Sequence, residues 1–344
     1  MRRKLAVGLS LGLVASLGLT ACSADGGGDG DSITIQFGNV ISPGDTQNVA
    51  YEMFAELVNE RSDGRITVEI YPDSQLGGEN EMIEAVQAGQ IQMTAPSVGV
   101  LANFDDSLTV FDFPFIFEDA ETAYQVLDSE LGDDILAGLE GSGLQALGWG
   151  ENGFRNLAMT SGSVTSPSEM QGVKLRTMEV PLHIAFWESI GAAPTPMAFP
   201  EVYTALQQGV VDGVENPYEL LHSANFTEPA NYLTELRWIY DPEIILISES
   251  FLSGLSEEDQ QIILDASDEM IEYLRELKVG VSDEIREEIE AAGGTITDLT
   301  DAERQEWIDA AIPFYEQYAD SVDTETLIAL LEAAGNDTYL DVIQ

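Results

Sequence analysis

The chain has 344 residues, of which 62 are Asp or Glu and 13 are Lys or Arg, so its formal net charge is −49. A charge of this sign and size argues against nucleic-acid binding, which needs a basic surface, and against electrostatic attachment to an anionic membrane. Since 44% of the residues are hydrophobic, the chain still has enough apolar surface for folded cores, and its length suggests two domains of ordinary size.

The N-terminus has the pattern of an export signal followed by a lipid-attachment site. Three basic residues precede an apolar run over residues 5–19, which is too short for a stable membrane-spanning helix. The run is followed by Leu-Thr-Ala-Cys, which resembles the lipobox of bacterial lipoproteins, where the cysteine becomes the first mature residue and carries lipid. We therefore predict a signal peptide over residues 1–21 and lipidation of Cys22, the only cysteine in the chain.

Residues 22–32 are rich in Gly, Ser and Asp and predict a flexible tether between the lipid and a folded body. Removal of residues 1–21 would leave 10 basic and 62 acidic residues, a formal charge of −52. We expect an exported monomer on the outer face of the cytoplasmic membrane, where the lipid anchor is its only contact with the membrane.

The body begins with strands and helices in alternation. Apolar residues at period two predict strands, and apolar residues at helical spacing predict helices. The predicted strands are 33–38, 66–71, 91–98 and 144–149, and the predicted helices are 46–61, 79–88 and 120–139. This β-α-β order favours a mostly parallel sheet covered by helices.

A second cycle of the same kind follows. Its predicted strands are 154–160, 173–178, 210–214 and 244–248, and its predicted helices are 182–190 and 200–208. Residues 148–153 contain three glycines in a G-x-G-x-x-G spacing, but the next segment is extended, so we interpret them as a turn between strands. Residues 166–169 (SPSE) have the form of a capping box.

The C-terminal third is helical. A helical pattern over residues 256–292 contains no proline and only Gly280 as a weak point. A helix of this length would extend about 50 Å, enough to cross two lobes. The sequence therefore predicts an α/β clamshell of two lobes braced by a long C-terminal helix, and clefts between such lobes are common sites for small ligands.

Residues typical of catalysis or of metal binding are scarce in the body. It has no cysteine, and its two histidines, His183 and His222, are not in a paired-ligand spacing. His183 lies on a predicted apolar helix and is interpreted as a packed or surface residue rather than a ligand. The sequence thus indicates no enzyme, no metal and no cofactor.

Two of the ten basic residues of the body need a special explanation. Arg155 and Arg176 each lie on a short predicted strand beside a glycine-rich turn, where a guanidinium needs an anionic partner. A structural salt bridge is one alternative, because acids are abundant. The other is a bidentate grip on a ligand carboxylate, which suits guanidinium geometry.

Several segments, in order, resemble one family over about residues 33–320. Residues 170–176 (MQGVKLR) look like its G-x-K-x-R segment, and residues 191–203 (GAAPTPMAFPEVY) and 205–217 (ALQQGVVDGVENP) continue the resemblance. Residues 71–79 (YPDSQLGGE) and 111–115 (FDFPF) also fit. The family is the DctP-type solute-binding proteins of tripartite ATP-independent periplasmic (TRAP) transporters.

The resemblance implies a periplasmic-binding-protein fold with two lobes. We expect the first lobe to comprise residues 33–152 and about 241–281, and the second lobe 153–240 and about 282–344. It also implies that the protein delivers a small organic acid anion to the membrane subunits of a TRAP transporter, without catalysis.

The resemblance also assigns site residues. Arg176 would salt-bridge the ligand carboxylate, Asn216 would hydrogen-bond it and Arg155 would be a second arginine of the clamp. Phe199 would pack on the ligand carbon skeleton, and Glu79 would accept hydrogen bonds from ligand hydroxyls.

The sequence leaves two questions open: which organic acid the protein binds, and which membrane protein responds to the bound form. Glu79 favours hydroxylated acids (hexuronates, aldonates) over C4-dicarboxylates, and Ser97, at a place where sialic-acid binders carry an acid, disfavours sialic acid. One alternative is a sensor that signals to a membrane receptor, and a more remote one is an extracellular hydrolase.

Overall fold

The computed structural model describes residues 32–344. The predicted signal peptide, Cys22 and all but the last residue of the predicted tether lie outside the described residues. The strands are β1 Ile33–Gly38, β2 Ile66–Tyr71, β3 Met93–Thr94, β4 Leu144–Phe154, β5 Asn156–Met159, β6 Lys174–Thr177, β7 Ala193–Pro196, β8 Gly213–Asn216, β9 Tyr232–Glu235, β10 Tyr240–Ser248 and β11 Thr295–Asp298.

Fourteen α-helices accompany these strands in the described part of the chain. They are α1 Thr46–Arg61, α2 Glu79–Gln87, α3 Val98–Leu101, α4 Ala120–Leu127, α5 Glu130–Ala137, α6 Pro181–Ser189, α7 Val202–Gln207, α8 Tyr218–Ser223, α9 Glu249–Ser253, α10 Glu257–Lys278, α11 Val281–Ala291, α12 Asp301–Tyr318, α13 Thr324–Ala333 and α14 Asp337–Ile343. Between residues 32 and 344, none of the helices has the length and apolar character needed to cross a bilayer.

The strands form two separate sheets, and each sheet defines a lobe. The first lobe contains the sheet β2-β1-β3-β10-β4, and the second contains β11-β9-β5-β8-β6-β7. The two-lobe α/β prediction is therefore confirmed, whereas the residue boundaries of the lobes stay a prediction. Both sheets are mixed rather than mostly parallel, because β10 runs antiparallel to β3 and β4, and β5 runs antiparallel to β8 and β9.

Two long paired strands lead from one lobe to the other. The antiparallel pair β4–β10 extends from Ser248 opposite Leu144 to Tyr240 opposite Phe154. The predicted glycine turn over 148–153 is wrong, since these residues lie inside β4. The glycines there allow close packing: a Cβ on Gly148 would come within 2.5 Å of Ile271 Cδ1, and one on Gly150 within 2.5 Å of Glu243 Oε1.

The long C-terminal helix is present but interrupted. It consists of α10 and α11, and between them Gly280 adopts a left-handed conformation with φ of 81°. Residues of α10 such as Met270 pack in the core of the first lobe, whereas Ile289 of α11 packs in the second. The predicted single helix over 256–292 is therefore wrong at Gly280, because a residue without a Cβ readily enters this left-handed conformation, which separates α10 from α11.

Other predicted elements are shorter than expected. The predicted helix 120–139 is divided into α4 and α5, and the predicted strand 91–98 is reduced to β3. Pro96 has no N–H group with which to continue the hydrogen-bond ladder of β3, and helix α3 begins two residues later. Of the two positions considered for His183, packed or at the surface, the structure shows the packed one: it is buried against Trp238 and lies 3.0 Å from an Asp112 carboxylate oxygen.

Candidate functional site

Arg176 is a buried cation without a counter-ion among residues 32–344. Its side chain projects from β6 and is only 2% exposed. Nε and Nη2 both donate to the carbonyl of Met197, at 3.2 and 2.8 Å, while Nη1 has no hydrogen-bond partner and no described carboxylate lies within 4.0 Å. A buried charge is normally paired, so an unpaired guanidinium is a strong indication of an anion site.

The electrostatics of Arg176 agree with this interpretation. Burial, followed by the positive charge of Arg155, lowers the pKa of Arg176 to about 10. Its charged form is therefore destabilised in the empty protein, although it remains protonated at neutral pH. A bound anion would reverse this destabilisation because the opposite charge favours the guanidinium form.

Asn216 provides a second unsatisfied donor on the same face of the sheet. It is the last residue of β8 and is 2% exposed, and its Nδ2 has no partner among the described atoms. In the parallel pair β6–β8, Arg176 lies opposite Val214, so Asn216, two residues further along, projects from the same face. Two buried N–H donors that face the same way can bind one carboxylate.

Glu79 and Phe199 join Arg176 around one pocket between the lobes. Glu79 begins α2 of the first lobe, and its Oε1 accepts a hydrogen bond of 2.8 Å from the Ser97 backbone N–H. Burial raises the pKa of Glu79 to about 7. Phe199 is half-buried and packs on Phe226 with ring centroids 5.2 Å apart. The pocket thus combines one cation, three acids (Glu79, Glu81 and Glu179) and an aromatic surface.

Arg155 has counter-ions of its own. Its Nε and Nη2 donate to the Glu215 carboxylate at 2.6 and 2.9 Å, and its Nη1 donates to Asp241 at 2.6 Å. All three side chains are almost completely buried. Although burial disfavours the charged form, these carboxylates raise the pKa of Arg155. Of the two alternatives considered for Arg155, the structural salt bridge is present, and contact with a ligand stays a prediction.

Glu215 and Asp241 are the residues that sequence reasoning missed. Glu215 also accepts a hydrogen bond of 2.8 Å from the Trp238 indole, and Asp241 accepts one of 2.6 Å from the Ser97 hydroxyl. The network therefore connects Ser97 of the first lobe with Glu215 of the second. The only sequence signal was the position of Glu215 directly before Asn216, since any of 62 acids could have paired with Arg155.

Three buried carboxyl groups make the stability depend on pH. Burial raises the pKa of Asp45, Glu79 and Glu243 to about 7 in each case. A carboxyl whose pKa is higher in the folded than in the unfolded state stabilises the fold fully below its unfolded pKa, and this contribution is lost as the pH rises through about 7. We expect the free energy of unfolding to fall between pH 5.5 and pH 8.0, as measured by urea denaturation.

A matched variant tests how much Glu79 contributes to the pH dependence of the stability. Glu79→Gln keeps an oxygen acceptor for the Ser97 N–H but cannot titrate, so its urea midpoint should fall less with pH than that of the wild type. A free energy of unfolding that rises from pH 5.5 to 8.0 would contradict the assignment of these raised pKa values.

The chain matches one family model over most of its length and is similar to proteins of known name. The family model "DctP: Bacterial extracellular solute-binding protein, family 7" matches residues 37–321. The chain is 34% identical to the 2,3-diketo-L-gulonate-binding periplasmic protein YiaO of Escherichia coli over 277 residues, which cover 80% of this chain and 84% of the relative. It is 31% identical to the C4-dicarboxylate-binding periplasmic protein DctP of Rhodobacter capsulatus over 305 residues, 88% of this chain and 91% of the relative.

A solved structure has the same architecture. The sugar acid binding protein DctPAm from Advenella mimigardefordensis, in complex with galactonate, superposes with a TM-score of 0.87 at 27% sequence identity. The match covers 90% of this chain and 99% of the other.

Proposed function

The chain belongs to the bacterial extracellular solute-binding proteins of family 7, and on this premise we propose that it captures a small organic acid by its carboxylate and delivers it to the membrane subunits of a TRAP transporter. The observation that carries this proposal is Arg176, a buried guanidinium with a free Nη1 and no carboxylate partner among the described residues. Asn216 adds a second buried, unsatisfied donor.

In the proposed site the ligand carboxylate binds to Arg176 and Asn216. Arg155 supplies a second positive charge close enough to lower the pKa of Arg176. Since the N–H groups of Arg155 are already bound to Glu215 and Asp241, the direct contacts with the carboxylate are assigned to Arg176 and Asn216. Phe199 covers the carbon chain of the ligand.

The charges around the pocket favour a monocarboxylate with hydroxyl groups. Arg155 is balanced by two acids, and Arg176 is the one cation among the described residues around the pocket, where three acids, Glu79, Glu81 and Glu179, also lie. Above its pKa of about 7, Glu79 is ionised, so it accepts hydrogen bonds from hydroxyls but repels a second carboxylate. We therefore rank aldonates and hexuronates above C4-dicarboxylates as ligands. Similar proteins are named for sugar acids and related acids, and another is named for C4-dicarboxylates.

A ligand screen tests the proposal and the ranking separately. Isothermal titration calorimetry with galactonate, gluconate and galacturonate should give tighter binding than titration with succinate or malate. Tighter binding of succinate than of every sugar acid would contradict the ranking, while binding of neutral sugars in preference to all carboxylates would contradict the carboxylate clamp.

We further propose that Cys22 carries lipid and that residues 22–32 tether a monomeric body to the outer face of the cytoplasmic membrane. In cells, Cys22→Ala should move the protein from the membrane fraction to the unattached fraction and abolish incorporation of labelled palmitate. Ser23→Ala, one residue further along, serves as the matched control and should leave both unchanged. Incorporation of labelled palmitate into Cys22→Ala at the wild-type level would contradict lipid attachment at this residue.

A further inference from the structure

The start of α1 in the first lobe contacts α8 in the second lobe. Glu219 of α8 accepts two hydrogen bonds of 2.8 Å, from the backbone N–H of Thr46 and from its hydroxyl. The N–H groups in the first turn of a helix have no partner within that helix, so the Glu219 carboxylate satisfies one of them on α1. Glu219 itself is 6% exposed.

Two serines extend this contact. The Ser223 hydroxyl donates to Asp45 Oδ2 at 3.0 Å, and the Ser42 hydroxyl donates to the Ser223 carbonyl at 3.1 Å. We call these five residues, Ser42, Asp45, Thr46, Glu219 and Ser223, the latch. Every one of its hydrogen bonds described here joins one lobe to the other.

The latch is connected to the helix pair that crosses the lobes. Lys278, the last residue of α10, donates from Nζ to Glu219 Oε2 at 2.6 Å, and both side chains are less than 10% exposed. Gly280, which separates α10 from α11, follows two residues later. Thr46 and Lys278 both belong to elements that pack in the first lobe, so Glu219 of the second lobe contacts the first lobe at two places, α1 and the end of α10.

The latch is separate from the proposed ligand site. The residues around the Arg176 pocket include Glu79, Met197 and Phe199 but none of the five latch residues. A change in the latch can therefore alter ligand affinity only through the equilibrium between separated and joined lobes, not through a lost ligand contact.

We propose that Glu219 is a positioning residue that sets the affinity of this protein for its ligand by stabilising the joined form of the lobes, which is the main form once the ligand has entered and a minor form before. The inference rests on the proposed function, since it takes a ligand bound between the lobes as given. Separation of the lobes breaks both Thr46–Glu219 hydrogen bonds and disturbs the Lys278 pair. The latch consequently slows ligand release and has little influence on ligand entry, which takes place while the lobes are apart.

The experiment compares association and dissociation rates by stopped-flow tryptophan fluorescence with a sugar acid that the calorimetric screen identifies. Glu219→Gln loses the charge and one acceptor, and we expect its dissociation rate to rise about tenfold while the association rate changes less than about twofold. Thr46→Val keeps the shape of the side chain, loses only the hydroxyl bond and should raise the dissociation rate about threefold. Glu284→Gln, an exposed glutamate on α11, is the matched control and should match the wild type.

Wild-type dissociation rates in both latch variants would overturn the proposed role of Glu219, and so would equal changes in the association and dissociation rate constants. If Glu219→Gln does not fold, Thr46→Val alone decides. If the wild type binds no carboxylate, the proposed function is wrong, and the role of the latch is then tested without a ligand. Small-angle X-ray scattering of the ligand-free proteins measures how far the lobes are apart. A larger radius of gyration for Glu219→Gln than for the wild type supports the latch, and equal radii overturn it.

Discussion

Replacement of Arg176 by methionine should weaken carboxylate binding by at least about 100-fold and, at the same time, stabilise the ligand-free protein. The loss of binding corresponds to about 2.7 kcal/mol, within the range of charge-assisted hydrogen bonds that a buried guanidinium makes to a carboxylate. The gain in stability follows because Arg176 is buried without a counter-ion among residues 32–344, and methionine fills similar volume without a charge. We expect the free energy of unfolding to rise by about 1–3 kcal/mol.

Opposite effects on binding and stability distinguish a ligand clamp from a structural arginine. Calorimetric titration gives the affinity and urea denaturation the stability of the same preparation. Arg176→Lys keeps the charge but loses the planar fork, so it should bind with intermediate affinity. Lys174→Met, on the same strand but exposed, is the matched control and should change neither quantity. An affinity for Arg176→Met within threefold of the wild type would refute the proposed clamp.

Replacement of Arg155 by methionine should instead destabilise the protein strongly. It would leave the Glu215 and Asp241 carboxylates, both almost fully buried, without their cation. Removal of one partner from a buried ion pair costs about 3–5 kcal/mol because the remaining charge has no compensation. The decrease in the free energy of unfolding, measured by urea denaturation at pH 7, should lie in this range.

A solvent-exposed ion pair provides the control for this second prediction. Arg61 lies 2.7 Å from Glu269 at the surface, and Arg61→Met should change stability by less than about 1 kcal/mol. If Arg155→Met and Arg61→Met had equally small effects, the buried network would not stabilise the fold as described. Adding Asp241→Asn to Arg155→Met should recover part of the loss, because one uncompensated charge is then removed.

The predictions from sequence were most accurate where a local pattern carries the information. Apolar periodicity predicted β1, α1 and β2 with the bounds that the structure has, because each is a regular element whose residues contact one lobe. Periodicity was less accurate at Gly148 and Gly280. In the first case Ile271, distant in the chain, fills the space that a side chain would take. In the second, a left-handed glycine separates the helix that packs in the first lobe from the helix that packs in the second.

The two arginines show most clearly what the sequence determined. In a chain with 62 acids and 13 basic residues, Arg155 and Arg176 stood out because a cation on a buried strand requires an anion. That requirement is local and chemical, so composition and pattern were sufficient to identify both residues. The class of protein also followed from ordered motifs along the chain.

Only the tertiary structure decided which arginine has its anion within the protein. Glu215 and Asp241 are separated from Arg155 by 60 and 86 positions along the chain, and the fold brings Glu215 from the second sheet and Asp241 from the first within 2.6 Å of its guanidinium. The second sheet leaves Arg176 with a single carbonyl as partner and places Asn216 on the same face. Charge pairing depends on distances between atoms, and such distances between remote residues exist only once the chain has folded.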